Sequence, residues 1–215
     1  MDLAKIIVLS VCFAVIALII IFAIVYTRRY NRVVSESQVD VSDKELIEFI
    51  NSQPDKIVDK KAVMNEYGLS KFAAGGRLSH FLSNGLLKTM SSRNGMKRYY
   101  TLLKPIEKSY DLKLTDDPFI TVEDLLLIFK HYEYQVTLQE ICLCSGLPIK
   151  VILEEMKYFE KEKVIKCLLL SQNAGFTHQK VYTLCEPYRS NPDKFLDLKE
   201  VNFELKEIYN NVRNS

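Results

Sequence analysis

The chain has 215 residues, a formal net charge of +2 and 48% hydrophobic residues. A sequence pI near 8.2 is modest for a nucleic-acid-binding chain, so no strongly basic domain dominates it. Its five cysteines match no disulfide framework, which excludes a disulfide-stapled secreted domain.

The first predicted element is a membrane span. Ile6–Tyr26 is a run of 21 residues without a charge, enough to cross a bilayer core. A cleaved signal peptide usually has a shorter apolar region followed by a cleavage site, whereas Arg28 and Arg29 follow here. The sequence therefore predicts an uncleaved anchor. Together with Arg32, these arginines place the rest of the chain in the cytoplasm, at the cell membrane or an internal membrane.

Helix signals follow a polar stretch. Residues 28–41 are polar and predict a coil linker spanning about 20 Å. Ser42 and Glu45 then form a capping-box pattern that begins a helix. After a short extended piece, Asp59 caps a second helix, which Gly68 ends in a positive-φ turn.

A third helix and a hairpin complete this unit. Ser70 caps a helix that runs to about Asn84. Leu86–Met90 and Tyr99–Leu103 predict two strands, joined through an Asn-Gly turn.

The unit then repeats. The pattern from Gly68 to Lys88 returns 78 positions later, from Gly146 to Lys166. A duplicated unit of about 80 residues has the size of a small domain. The predicted elements of the second copy are helices at Thr121–Tyr132, Leu138–Ser145 and Ile149–Glu162, an extended Val136, strands at Val164–Leu170 and Val181–Leu184, and a wing at 171–179.

Both copies resemble the winged helix-turn-helix superfamily. The resemblance depends on the Gly-Leu-Ser turn, the Asn-Gly-Leu-Leu-Lys exit of the third helix and the hairpin, over residues 42–105 and 119–187. It implies a mainly α fold with small β wings, an α+β class. The predicted divisions are a transmembrane anchor at 1–27, the linker at 28–41, winged-helix domains at 42–105 and 106–187, and an amphipathic C-terminal helix at 188–215.

The first copy is predicted to contact duplex DNA. Winged helices that bind DNA place the third helix in the major groove and the wing on the backbone. Residues 41–104 carry 11 basic and 6 acidic side chains, a net charge of +5. Helical spacing also turns small and basic residues outward. The predicted DNA contacts are Ser70, Lys71, Ala73, Arg77, His80, Arg93, Lys97 and Arg98.

The second copy is predicted to contact protein. Residues 105–185 carry 9 basic and 12 acidic side chains, a net charge of −3, which would repel phosphates. The last helix has an apolar stripe that packs either on its own domain or on another chain, with self-association favoured. The predicted protein contacts are Val151, Glu154, Glu155, Tyr158, Leu198, Val201, Leu205 and Ile208.

Two hypotheses remain open. The first is a membrane-tethered DNA-binding transcriptional regulator, and the alternative is a membrane-anchored adaptor that binds only proteins. The basic residues could also be ordinary solvated surface or could attract anionic lipid headgroups. No phosphate-binding loop or Gly-x-Ser-x-Gly motif is present, the histidines are scattered, and Cys142-x-Cys144 is too tight for zinc, so we expect no enzyme and no cofactor or metal.

Overall fold

A computed structural model describes residues 3–92, 95–171, 178–192 and 194. Within these residues the chain is a mixed α/β protein with seven helices and two three-stranded antiparallel sheets. One long apolar helix precedes two units in which the same elements recur in the same order.

Helix α1 spans Leu3–Asp40, and its segment Cys12–Val33 is long and apolar enough to cross a membrane. The prediction of a coil linker at 28–41 is wrong, because the helix continues without a break. An Arg32–Glu36 ion pair of 2.8 Å lies along this part, and Val33 packs against the core. These contacts stabilise residues 28–40 as a helix, although their composition alone indicated a coil.

The first unit has its helices and strands where local signals predicted them. Ser42 and Glu45 form the capping box, Asp59 and Ser70 cap the next two helices, and Gly68 ends one with a φ of 63°. The elements are α2 Asp43–Ser52, β1 Val58–Asp59, α3 Lys60–Tyr67, α4 Lys71–Ser83, β2 Leu87–Ser91 and β3 Arg98–Leu102.

The second unit has the same order of elements. Its sheet order, β4-β6-β5, matches β1-β3-β2 of the first unit. The second strand of the hairpin begins three residues earlier than predicted, at His178. The elements are α5 Val122–His131, β4 Val136–Thr137, α6 Leu138–Ser145, α7 Ile149–Lys161, β5 Ile165–Ser171 and β6 His178–Leu184.

The two units share one hydrophobic core, in which α2 packs against α6. Polar contacts reinforce this interface. The Ile149 N–H donates to Asp43 Oδ2 at 2.8 Å, and Gln139 Nε2 donates to the Lys104 carbonyl at 2.9 Å. Lys104 Nζ also lies 2.7 Å from a carboxylate oxygen of Glu140. The units are therefore packed into one body.

The predicted C-terminal helix lies almost wholly outside the described residues. Four predicted protein contacts and one predicted DNA contact also lie outside the described residues: Leu198, Val201, Leu205, Ile208 and Arg93.

Candidate functional site

Helix α1 lies along α4, the third helix of the first unit. The rings of Tyr26 and Tyr30 meet Phe72 edge-to-face at centroid distances of 6.2 and 5.7 Å. The Tyr30 hydroxyl donates to the Gly76 carbonyl at 3.1 Å, and both Gly75 and Gly76 lie in this contact. The face of α4 that we predicted would enter a DNA groove is thus in contact with the chain's own first helix.

Arg77 is completely buried beneath this contact, with 0% of its surface exposed. Its guanidinium donates to the carbonyls of Ser37 and Val41 at 2.9 and 2.7 Å, and to Asp43 Oδ1 at 2.7 Å. The prediction that Arg77 faces outward is wrong. Helical spacing identified the side of α4 turned away from its own unit's core, but the end of α1 covers that side.

The other predicted DNA contacts divide into buried and exposed groups. Ala73 is buried, so its predicted outward position is also wrong. Ser70 is exposed, and its hydroxyl caps α4 by accepting from the Ala73 N–H at 3.1 Å. His80 is half-buried, and this burial lowers its pKa. The exposed basic residues that remain are Lys71, Lys97 and Arg98.

A cleft opens between α1, α3, α4 and β3, and two of these exposed basic residues line it. We call it the basic cleft. Its volume is about 490 Å³, and none of its lining residues is acidic. Its lining comprises Tyr26, Tyr30, Lys60, Lys71, Phe72, Gly75, Gly76, Ser79, Arg98 and Tyr100.

On α7 of the second unit the predicted contacts also divide. Glu154 is exposed, while Val151 and Tyr158 are half-buried. Glu155 is only 6% exposed, so its predicted outward position is wrong. Its two carboxylate oxygens accept from the Ile120 N–H at 3.0 and 3.2 Å. The segment before α5 covers this side of α7, and that contact joins residues 35 positions apart.

Burial raises the pKa of Glu155 to about 8, although the hydrogen bond from Ile120 acts in the opposite direction. The folded state therefore holds this proton more tightly than the unfolded state. Stability from the protonated carboxyl is fully present below about pH 4.5 and is lost as the pH rises through about 8.

We expect Glu155→Gln to flatten the pH dependence of unfolding, with a gain of about 3–5 kcal/mol over wild type at pH 9 and little change at pH 5. The neutral amide keeps an oxygen acceptor for Ile120 but cannot ionise. Tyrosine-fluorescence melting of the full chain in detergent measures this, with exposed Glu154→Gln as the matched control. Equal pH dependence in the two variants would contradict the buried-carboxyl explanation.

A further exposed surface was not predicted from the sequence. Leu168, Leu169 and Leu170 in β5 are 47%, 61% and 51% exposed. Among the described strands β5 pairs only with β6, so it forms an edge of its sheet. A half-buried strand normally alternates apolar and polar residues, and three consecutive leucines were the available signal.

The described residues contain no candidate metal site. No three His, Cys, Asp or Glu side chains among them lie close enough together to hold one ion. Cys142 and Cys144 are buried in the second unit. Burial raises the pKa of both thiols, that of Cys144 to about 11, so both are protonated at neutral pH.

No family model matches the chain, and no curated protein matches its sequence.

Proposed function

We propose that this protein is a membrane-anchored adaptor made of two winged-helix domains, with the second domain binding a partner protein. The single observation that carries this proposal is the packing of α1 on α4, which covers the surface that a DNA-binding winged helix needs. The recurring order of helices and strands, with one sheet order in both units, supports the winged-helix assignment.

Placing α4 in a DNA groove would require α1 to detach. Arg77 would lose the Ser37 carbonyl of α1 as an acceptor, although it would keep the Asp43 carboxylate of α2. A hydrogen bond to a charged group contributes about 1.5–3 kcal/mol. The aromatic contacts of Phe72 would be lost as well. Protein binding requires none of this.

The continuity of α1 supports a fixed orientation at the membrane. From Tyr26, where the charge-free run ends, to Asp40 the helix rises about 21 Å beside the body. Arg28, Arg29 and Arg32 favour a cytoplasmic position for this part. An adaptor held in this way presents the same surface to every partner.

The edge of β5 is the proposed partner surface. An edge strand offers unpaired backbone N–H and C=O groups to an extended segment of another protein. The exposed Leu168, Leu169 and Leu170 would add apolar contacts on both faces of the extended sheet. We therefore expect the partner to contribute an apolar, strand-forming segment.

Photo-crosslinking in cells tests the adaptor. A photoreactive residue at Leu169 should give one defined protein adduct, while the same residue at exposed Lys161 on α7 should not. Leu168→Asp should remove that adduct, because a charge enters the apolar contact. An adduct pattern that is the same at both positions would contradict the proposed surface.

A DNA-binding regulator is the second candidate function, because Lys97 and Arg98 are exposed and could contact phosphates. A salt titration of the full chain in nanodiscs against duplex DNA separates the two. The adaptor predicts no salt-dependent DNA binding. Binding that weakens with salt and loses about one unit of slope on Lys97→Gln would favour the regulator instead.

A further inference from the structure

We propose that the basic cleft binds the headgroup of an anionic phospholipid. This inference depends on membrane insertion of α1, which belongs to the proposed function, but not on any protein partner. Three features carry it: the charge of the cleft, its height along α1 and the apolar surface beside it.

The cleft concentrates positive charge. Lys60, Lys71 and Arg98 line it without an acidic neighbour. No ion pair in the described part of the chain engages any of the three. The Lys60 side chain lies across Gly75, with its Cδ 3.3 Å from the position of a Cβ there, so its stem is positioned on α4. Such a group of cations attracts an anion.

The height of the cleft matches the headgroup layer. Its α1 wall is formed by Tyr26, at the end of the charge-free run, and Tyr30, about 6 Å further along the helix. The polar layer on each side of a bilayer core is about 5–8 Å thick. Phe72, whose ring meets both tyrosines, completes an aromatic group of the kind found at membrane interfaces.

The chemistry of the lining suits a phosphodiester. Lysine and arginine form charge-assisted hydrogen bonds to phosphate oxygens. Below the cleft, the exposed apolar side chains of α1, including Phe22, offer a path for acyl chains. A phospholipid uses both surfaces, whereas a free phosphate uses only the cleft.

Native mass spectrometry of the full chain in detergent tests the proposal with two added lipids, phosphatidylglycerol and phosphatidylcholine. We expect phosphatidylglycerol to bind at least about fivefold more tightly. Lys71→Gln and Arg98→Gln should each weaken its binding about fivefold, the effect of one cation beside an anionic lipid. The matched control is Lys97→Gln, which removes an exposed charge next to Arg98 but outside the cleft and should change binding less than twofold.

Four outcomes would overturn the proposal. They are equal binding of the two lipids, an equal loss in Lys97→Gln, binding of glycerol 3-phosphate as tight as that of the lipid, and displacement of the lipid by duplex DNA. Unchanged melting of the variants verifies that they fold. Because no partner protein is present, a failed crosslink at Leu169 and a failed lipid test are distinguishable.

Discussion

Arg77→Met is expected to lower the free energy of unfolding by about 3–5 kcal/mol. The substitution leaves the Asp43 carboxylate buried without its ion-pair partner, and an unpaired buried charge is strongly destabilising. The carbonyls of Ser37 and Val41 also lose their guanidinium donor. Urea unfolding of the full chain in detergent, followed by tyrosine fluorescence, measures the loss.

The matched control is Arg98→Gln, an exposed arginine of the same unit, which should change stability by no more than about 0.5 kcal/mol. A double-mutant cycle with Asp43→Asn should give a coupling energy above about 1 kcal/mol, because the two side chains form one buried pair. If Arg77→Met proved as mild as Arg98→Gln, the arginine would not hold α1, α2 and α4 together.

Local signals were enough to predict most elements. A capping box needs only Ser42 and the residue three positions later, and a positive-φ helix end needs only Gly68. The repeat carried the same information to the second unit, where Thr137 and Gly146 have the same roles as Asp59 and Gly68. The order of helices and strands could therefore be predicted from residues that lie close together in the sequence.

The orientation of the site residues did not follow in the same way. Arg77 is bound by carbonyls 36 and 40 positions earlier, and Glu155 by an amide 35 positions earlier. Helical periodicity shows which residues share a face but not what covers that face. The interface between the two units could not be predicted from local sequence either, because Asp43 accepts a hydrogen bond from an amide 106 positions away.

The same limit applies to Gly85, which follows Asn84 at the predicted end of the third helix. Its φ is +73°, and a Cβ at this position would lie 2.3 Å from the carbonyl oxygen of His178 in the second unit. A backbone oxygen cannot move aside as a flexible side chain can. Gly85→Ala should therefore separate the two units locally, and we expect a loss of about 3 kcal/mol or more, the sum of positive-φ strain and overpacking.

Gly95→Ala is the matched control, because Gly95 has a nearly equal φ of +71° with nothing within 4 Å of the added Cβ. It should cost about 1 kcal/mol, from backbone conformation alone. Urea unfolding of both full-length variants measures the difference, which isolates the contact with His178. Equal losses would show that only backbone conformation matters at Gly85. A larger loss at Gly85 would mean that the end of the first unit's third helix and the second unit's hairpin are held together at this point.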